Sequence, residues 1–501
     1  MTAPTASADP ARRERTFFGH PRILGTLFLT EMWERFSYYG MRAILVLYLT
    51  TSVVGPNPPG GGLGFSTGEA AAIYGTYSAL VYIAPLAGGW IADRVLCPRK
   101  VVLVGGIIIA CGHYLMAAAG LTQAFFWLGL LSIALGTGLF KPNTYPMVSQ
   151  LYGEHDRRRD AGFSIFYMGV NVGSFFSPFV VGWLADDYGW HWGFGAAGVG
   201  MTIGLIQYVI GYRKFGEIGA HVHRPADRSI RIRAVGVAIG IVLIVAILVT
   251  LDLTLWDSNL SIITTTLAVV IVIAPVVYFW RIFRSPDVVG IHRDRMKALI
   301  YLFIGVVMFW AIADQAGSTL NVFAQEDTDR AIGDYVVPAA FFQSLNPIYI
   351  IMLAPVFAFV WQRLADRAPT TPGKFFLAQV GVGISMLMMI PPAMGAASGQ
   401  LASVWWLVTM YFVQTVAELL LNPTGQSAAT KLAPKGRVSQ VMALWLMGTA
   451  VADAIGGQLA ALIIDQSMAV FFGVLGVAAL VVSVMFLVMG KHINRLMSGV
   501  R

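Results

Sequence analysis

Charge is what this sequence has least of: 12% of its 501 residues are Asp, Glu, Lys or Arg, about half the fraction usual in soluble domains. With 57% hydrophobic residues, that scarcity excludes an ordinary soluble protein and describes an all-α integral membrane protein. No polar stretch exceeds about 25 residues, too short for a soluble domain between the apolar runs. Cysteine is almost missing. Cys97 and Cys111 are 14 residues apart, about 21 Å along a helix, so both read as free thiols rather than a disulfide. The eight histidines fall mostly in connections, and no His, Cys or carboxylate spacing resembles a metal site. Gly60-Gly61-Gly62 lacks a following Lys-Thr/Ser and a preceding strand, so nothing supports a nucleotide-driven pump. The expectation is a protein that is not an enzyme and holds no metal or cofactor. The N-terminal stretch has no small-residue cleavage site after an apolar core and reads as a short cytoplasmic tail, not a signal peptide.

Apolar windows of about 20 residues begin near positions 21, 69, 98, 124, 160, 191, 233, 260, 297, 335, 374, 401, 436 and 468. Fourteen spans would return the C-terminus to the side of the N-terminus. Basic residues test that topology, because cytoplasmic loops carry the excess of Lys and Arg. Clusters such as Arg94, Arg99 and Lys100, Arg157 to Arg159, and Lys431, Lys435 and Arg437 lie on alternate connections, which together hold 30 of the 34 basic residues. Arg330 alone falls on the other side, and Arg35, Arg42 and Lys141 lie within spans. The net charge of +8 therefore orients the chain in a plasma membrane, with both termini cytoplasmic, and does not mark a nucleic acid site.

An internal echo divides the chain. Ile91-Ala92-Asp93-Arg94 and Leu364-Ala365-Asp366-Arg367 each follow an aromatic residue, Trp90 or Trp361, and each leads into a basic loop. Two six-helix halves, 21–215 and 291–490, account for the repeat. Residues 216–290 then carry a linker with an inserted two-helix hairpin, and 1–20 and 491–501 are tails. Paired halves with a substrate held between them are the architecture of secondary transporters.

The segment from Glu31 to Arg42 breaks the rule of scarce charge. It places Glu31, Glu34, Arg35 and Arg42 inside one span. Each ionised group at the centre of a spanning helix costs roughly 2.5 to 3.5 kcal/mol, about 10 to 14 kcal/mol for four left unpaired. Helical spacing puts them on one stripe with Tyr38 and Tyr39, facing water or other helices rather than lipid. Glu31 and Arg35 stand at i and i+4 in the favourable order, so Glu31 reads equally as a simple tether. Glu34 is expected to point about 100° away from Arg35, towards Lys141.

Lys141, Asp314 and Glu418 are further charges in apolar runs, joined by Asn171 and Asn346. Arg42 and Lys141 of the first half are placed to hold an anionic group, and Glu418 of the second half an ammonium. Arg35 and Asp314 are expected to pair across the halves, and protonation of Asp314 would break that pair. Asn171, beside Gly169 and Gly173, reads equally well as helix packing.

These residues resemble the proton-coupled oligopeptide transporter family of the major facilitator superfamily. Glu31-x-x-Glu34-Arg35-Phe36-x-Tyr38-Tyr39-Gly40 resembles its first-helix signature, Phe166 to Ser174 its fifth-helix signature, and Gly89 to Arg94 with Arg99-Lys100 the superfamily's loop motif. The resemblance runs from about residue 20 to 490 and implies the major facilitator fold, with a helix pair inserted between two six-helix bundles. It implies a proton-coupled symporter of di- and tripeptides, drawing on a proton gradient; separately, the chain is expected to function as a monomer. By resemblance, Arg42 and Lys141 receive the peptide carboxylate, and Asn171, Asn346 and Glu418 its amine. Tyr39, Tyr77, Trp310 and Trp445 line the pocket, with Tyr38 added from the charged stripe; Glu31, Glu34, Arg35 and Asp314 handle the proton. The chain departs from the family in two places: Asp314 stands where bacterial relatives usually carry Glu, and Gly75 where animal relatives carry a proton-handling His. Transport of another small anion or zwitterion is the alternative within the class; a channel or a peptide-sensing receptor is the alternative outside it.

Overall fold

The computed structural model describes residues 17–53, 61–153, 156, 158–222, 227, 229, 236, 261–434 and 437–500. In the first half α1 (Arg22–Thr50), α2 (Thr67–Arg94), α3 (Pro98–Ala117), α4 (Gln123–Ser149), α5 (Arg159–Tyr188) and α6 (Trp190–Tyr212) form one bundle. After α7 (Ser261–Phe283), the second half holds α8 (Ile291–Ala313), α9 (Thr319–Glu326), α10 (Leu345–Leu364), α11 (Thr371–Leu387), α12 (Ile390–Ala397), α13 (Val404–Leu432), α14 (Val438–Ile463) and α15 (Met468–Leu496).

Among the described residues twelve spans are long and apolar enough to cross a membrane, with α8 and α9 forming one and α11 and α12 another. α1 is not one of the twelve, because every 18-residue window of it holds at least three charges. It makes a thirteenth long helix. The span expected near 233, the first helix of the hairpin, lies outside the described residues, as does most of the expected N-terminal tail.

α1 packs on α5 and α6, and α3 on α4; α11 packs on α13 and α15, and α14 on α8. These two helical bundles are the major facilitator fold. They meet at the acidic end, which carries Asp186 and Asp187 in the last turn of α5 and Asp327 and Asp465 in connections; the opposite, basic end carries Arg94, Arg99, Lys100 and Arg158. Towards the acidic end α2 and α14 touch backbone to backbone. A Cβ on Gly457 would lie 2.8 Å from the Ala71 carbonyl oxygen and 3.1 Å from the Cα of Gly75, so glycine at both positions sets the approach. Asn321 on α9 donates to the Ala43 carbonyl at 2.7 Å, and the Ser344 hydroxyl to the Phe175 carbonyl at 2.8 Å, each bond crossing between halves. α7 lies over the seam, packing Ala268 and Ile271 against Ala79 of α2 and Ala450, Val451 and Ala454 of α14.

The span expected near 297 is not one continuous helix. α8 stops at Ala313, Asp314–Gly317 form a 3-10 turn, and α9 resumes at Thr319. Side chains take up the interrupted bonding: the Gln315 amide oxygen accepts from the hydroxyls of Ser318 and Thr319, each at 3.0 Å, and its NH2 donates to the Ala311 carbonyl at 2.9 Å. A Cβ on Gly317 would collide with the Tyr74 hydroxyl and approach Arg42 Nε to 2.6 Å. The glycine thus lets the break close onto α1 and α2.

The span expected from 335 also starts later. Residues 328–336 form short strands, of which Thr328–Asp329 pairs in parallel with Ala402–Ser403, and a 3-10 turn over Ala339–Ser344 leads into α10. Pairing with the 402–403 loop holds this acidic connector across the end of the bundle.

Candidate functional site

The charged stripe of α1 divides into two clusters. Arg35 forms ion pairs with Glu34 and, at 3.4 Å, with Glu31, all three almost wholly buried. The expected Arg35–Asp314 pair is not formed. Asp314 instead accepts from Arg42 Nη2 at 2.8 Å, a pair buried between the halves. The reason is axial: Arg42 stands about two turns, roughly 10 Å, beyond Arg35, level with the break in the α8–α9 span, while Arg35 is neutralised by its own neighbours. Glu34 likewise departs from the expected direction. Its carboxylate swings onto Arg35, because both side chains are long enough to close the 100° gap, although Lys141 still acts on it electrostatically.

Beyond the Arg42–Asp314 pair lies a cavity between α1 and α5 of the first half and α8, α10 and α13 of the second, with Tyr39, Arg42, Asn171, Trp310, Asp314, Asn346 and Glu418 among its lining residues. Arg42 sits over the ring faces of Tyr39 and Tyr74, 5.7 and 5.6 Å from their centroids. On the facing wall the Asn346 amide donates to Glu418 Oε2 at 2.8 Å and to the Thr415 hydroxyl at 3.2 Å, which orients the carboxylate. Asn171 donates to the Tyr167 carbonyl one turn back at 3.1 Å. A guanidinium from one half and a carboxylate from the other thus face a shared polar space.

Several sequence-predicted residues stand away from this lining. Lys141 lies with its ammonium 4.5 Å from the centre of the Tyr82 ring. Tyr38 packs under the Arg35 guanidinium at 5.5 Å, and Tyr77 is buried on α2. Trp445 is also buried, its ring pressed against Gly425 of α13, inside the second bundle. Sequence reasoning missed Tyr167, Ser174, Gln343, Tyr411 and Gln414, which line the cavity. Tyr, Ser and Gln are common enough in spanning helices that these five do not stand out in a single sequence as Asn171 and Asn346 do. It also missed Asp453, a lone acid in the apolar run from Thr449 to Ile455, where the signal was present.

Two packed bundles with a polar cavity between them define a multi-pass membrane transporter. The POT family model matches residues 99–477, and the chain belongs to that family. It is 39% identical over 500 residues to the "Di-/tripeptide transporter" of Lactococcus lactis subsp. cremoris, covering 98% of this chain and 99% of the relative. Among solved structures it is similar to peptide transporter POT in complex with sulfate, with 42% identity, a TM-score of 0.89 and coverage of 97% and 98% of the two chains. It is also similar to a POT family transporter in complex with 5-aminolevulinic acid, with 36% identity, a TM-score of 0.88 and coverage of 96% and 98%.

Proposed function

We propose that the protein is a proton-driven symporter that imports di- and tripeptides across the inner (plasma) membrane by alternating access. The observation that carries this reading is the cavity that sets Arg42 of the first half against the Asn346–Glu418 pair of the second. A peptide is charged at both ends; its carboxylate goes to Arg42, with Lys141 as a second base from α4, and its amine to Glu418, Asn346 and Asn171. Tyr38, Tyr39, Tyr77, Trp310 and Trp445 supply or support aromatic walls tolerant of varied side chains. The acidic end then faces outward and the termini lie in the cytoplasm, as the basic loops require.

Proton coupling follows from the charge pair between the halves. Neutralising Asp314 by a proton removes the attraction that holds Arg42, freeing the base for a substrate carboxylate and loosening the contact between bundles. Glu31, Glu34 and Arg35 form the second proton-linked cluster on the same helix. The driving force is the proton gradient, with no bound cofactor, and one chain is the working unit. The relative that bears 5-aminolevulinic acid holds a small molecule with an amine and a carboxylate, in keeping with recognition by two opposite charges.

The test is uptake of a labelled dipeptide into proteoliposomes under an imposed pH gradient. A symporter concentrates the peptide inside. Equilibration without accumulation would indicate a channel, and no movement a receptor.

A further inference from the structure

Asp453 is an acid with no part in the transport cycle described above. It lies on α14 and is 4% exposed. Among the described residues neither of its carboxyl oxygens has a hydrogen-bond partner, and the same holds for Oδ2 of Asp314, Nε of Arg42 and the hydroxyls of Tyr74 and Tyr77. Asp314 acts on Asp453 electrostatically, as do Arg42 from α1 and Lys141 from α4. Packing keeps it there. Gly75 of α2 lies against the Asp453 carbonyl oxygen, and a Cβ on Gly456, one turn further on, would come within 2.7 Å of the Gln315 amide at the break after α8.

Two carboxyls facing one guanidinium in a buried site leave one negative charge unbalanced, and an ionised carboxylate buried without partners is costly. A single proton balances the charge and supplies the missing donor, because a protonated carboxyl gains an O–H. We propose that Asp453 is a second seat for the coupling proton, exchanging it with Asp314. This rests on the symport reading. With the proton on Asp453, Asp314 is the carboxylate that holds Arg42. When the proton passes, the Asp453 O–H bond breaks, an Asp314 O–H bond forms, and the negative charge moves to Asp453. Arg42 belongs to one half and both acids to the other, so the transfer breaks the Arg42–Asp314 bond and moves the partner charge to Asp453, which shifts where the two halves attract each other.

The charged and titratable groups that face this site are Arg42 and Tyr38 on α1, Tyr74, Tyr77 and Tyr82 on α2, Lys141 on α4 and Asp314 after α8. Glu418 on α13 acts on Asp314 from the cavity side. Of the other helices packed against α14, α7 brings only Tyr278 before Arg281, and α15 carries no charge before Lys491.

The test uses the full-length protein in proteoliposomes, with Asp453→Asn and Asp453→Glu read against wild type for gradient-driven accumulation of a labelled dipeptide, for counterflow, and for the pH profile of uptake. Asp453→Asn is expected to lower accumulation at least about tenfold relative to counterflow and to flatten the pH profile, with Asp453→Glu restoring most of the accumulation. Accumulation with the wild-type pH profile in Asp453→Asn would overturn the proposal. So would equal loss of counterflow and accumulation in both variants, which marks a packing residue. Should the Asn variant not fold, Asp453→Glu alone decides: a pH optimum displaced by about half a unit or more supports the exchange, and an unmoved one overturns it. Failure of the wild type to accumulate peptide would instead count against symport itself.

Discussion

Asp465 of the second half caps the first turn of α2 in the first: its carboxylate accepts from the Ser66 hydroxyl at 2.7 Å and from the Gly68 N–H at 2.9 Å. Ser66 also closes a capping box with Glu69, so two acids share the donors at one helix N-terminus. The bond forms only while the acidic end is shut. Asp465→Ala is therefore expected to favour the open arrangement, by about fivefold if an ordinary cap energy of about 1 kcal/mol is lost. Distances between spin labels on the acidic ends of α2 and α14 would report the shift; an unchanged distribution would show that the latch does not bias the equilibrium.

The glycine contact between α2 and α14 makes a steric prediction. A leucine at Gly457 cannot fit beside Ala71 and Gly75, so Gly457→Leu should hold the acidic end open. Uptake should fall by about tenfold or more, and cysteines placed at Gly68 and Ala461 should no longer crosslink. Normal crosslinking would show that the helices repack around the added side chain.

Glu418 is assigned the amine. Glu418→Gln keeps the shape and removes the charge, and should weaken uptake of peptides with a free amine about thirtyfold or more. Uptake of amine-blocked peptides should change far less. Equal losses for the two would sink the assignment.

Asp314 is assigned the proton-sensitive link to Arg42. Asp314→Asn should bring the inside-to-outside peptide ratio under a pH gradient down to about one, because the pair no longer responds to protonation. Intact accumulation would place the coupling elsewhere.

At the basic end Arg437, at the start of α14, donates to both oxygens of Asp287, at 2.6 and 2.7 Å, in the connection between α7 and α8. These bonds hold the Asp287 carboxyl below its ordinary value of 3.8. The folded protein thus releases this proton more readily than the unfolded chain, so the contribution is fully present above about pH 4 and fades as pH falls through the depressed value. Asp287→Asn should lower Tm at pH 7 by no more than about 2 °C, since the pair is exposed. The difference from wild type should close on acidification below that range; a difference that persists there would mean the clamp acts by packing.

Much of this protein follows from composition and spacing, because the bilayer is an unforgiving solvent. Apolar runs of spanning length, the alternation of basic loops and the cost of intramembrane charge identify a two-halved transporter and single out Arg42, Asp314 and Glu418. Asn346 is marked as a polar residue in an apolar run, and Trp310 by standing one helical turn before Asp314. Tertiary structure alone decided which charges meet. The Arg42–Asp314 pair depends on the axial level at which α8 breaks, and that level is set by Gln315, Ser318 and Thr319 bonding among themselves and by Gly317 admitting Arg42 and Tyr74. The position of Asp453 depends likewise on how closely Gly75 and Gly457 let α2 and α14 approach. Helical periodicity fixes direction around one helix, but pairing between helices depends on their relative height and separation, which are properties of packing that no single segment encodes.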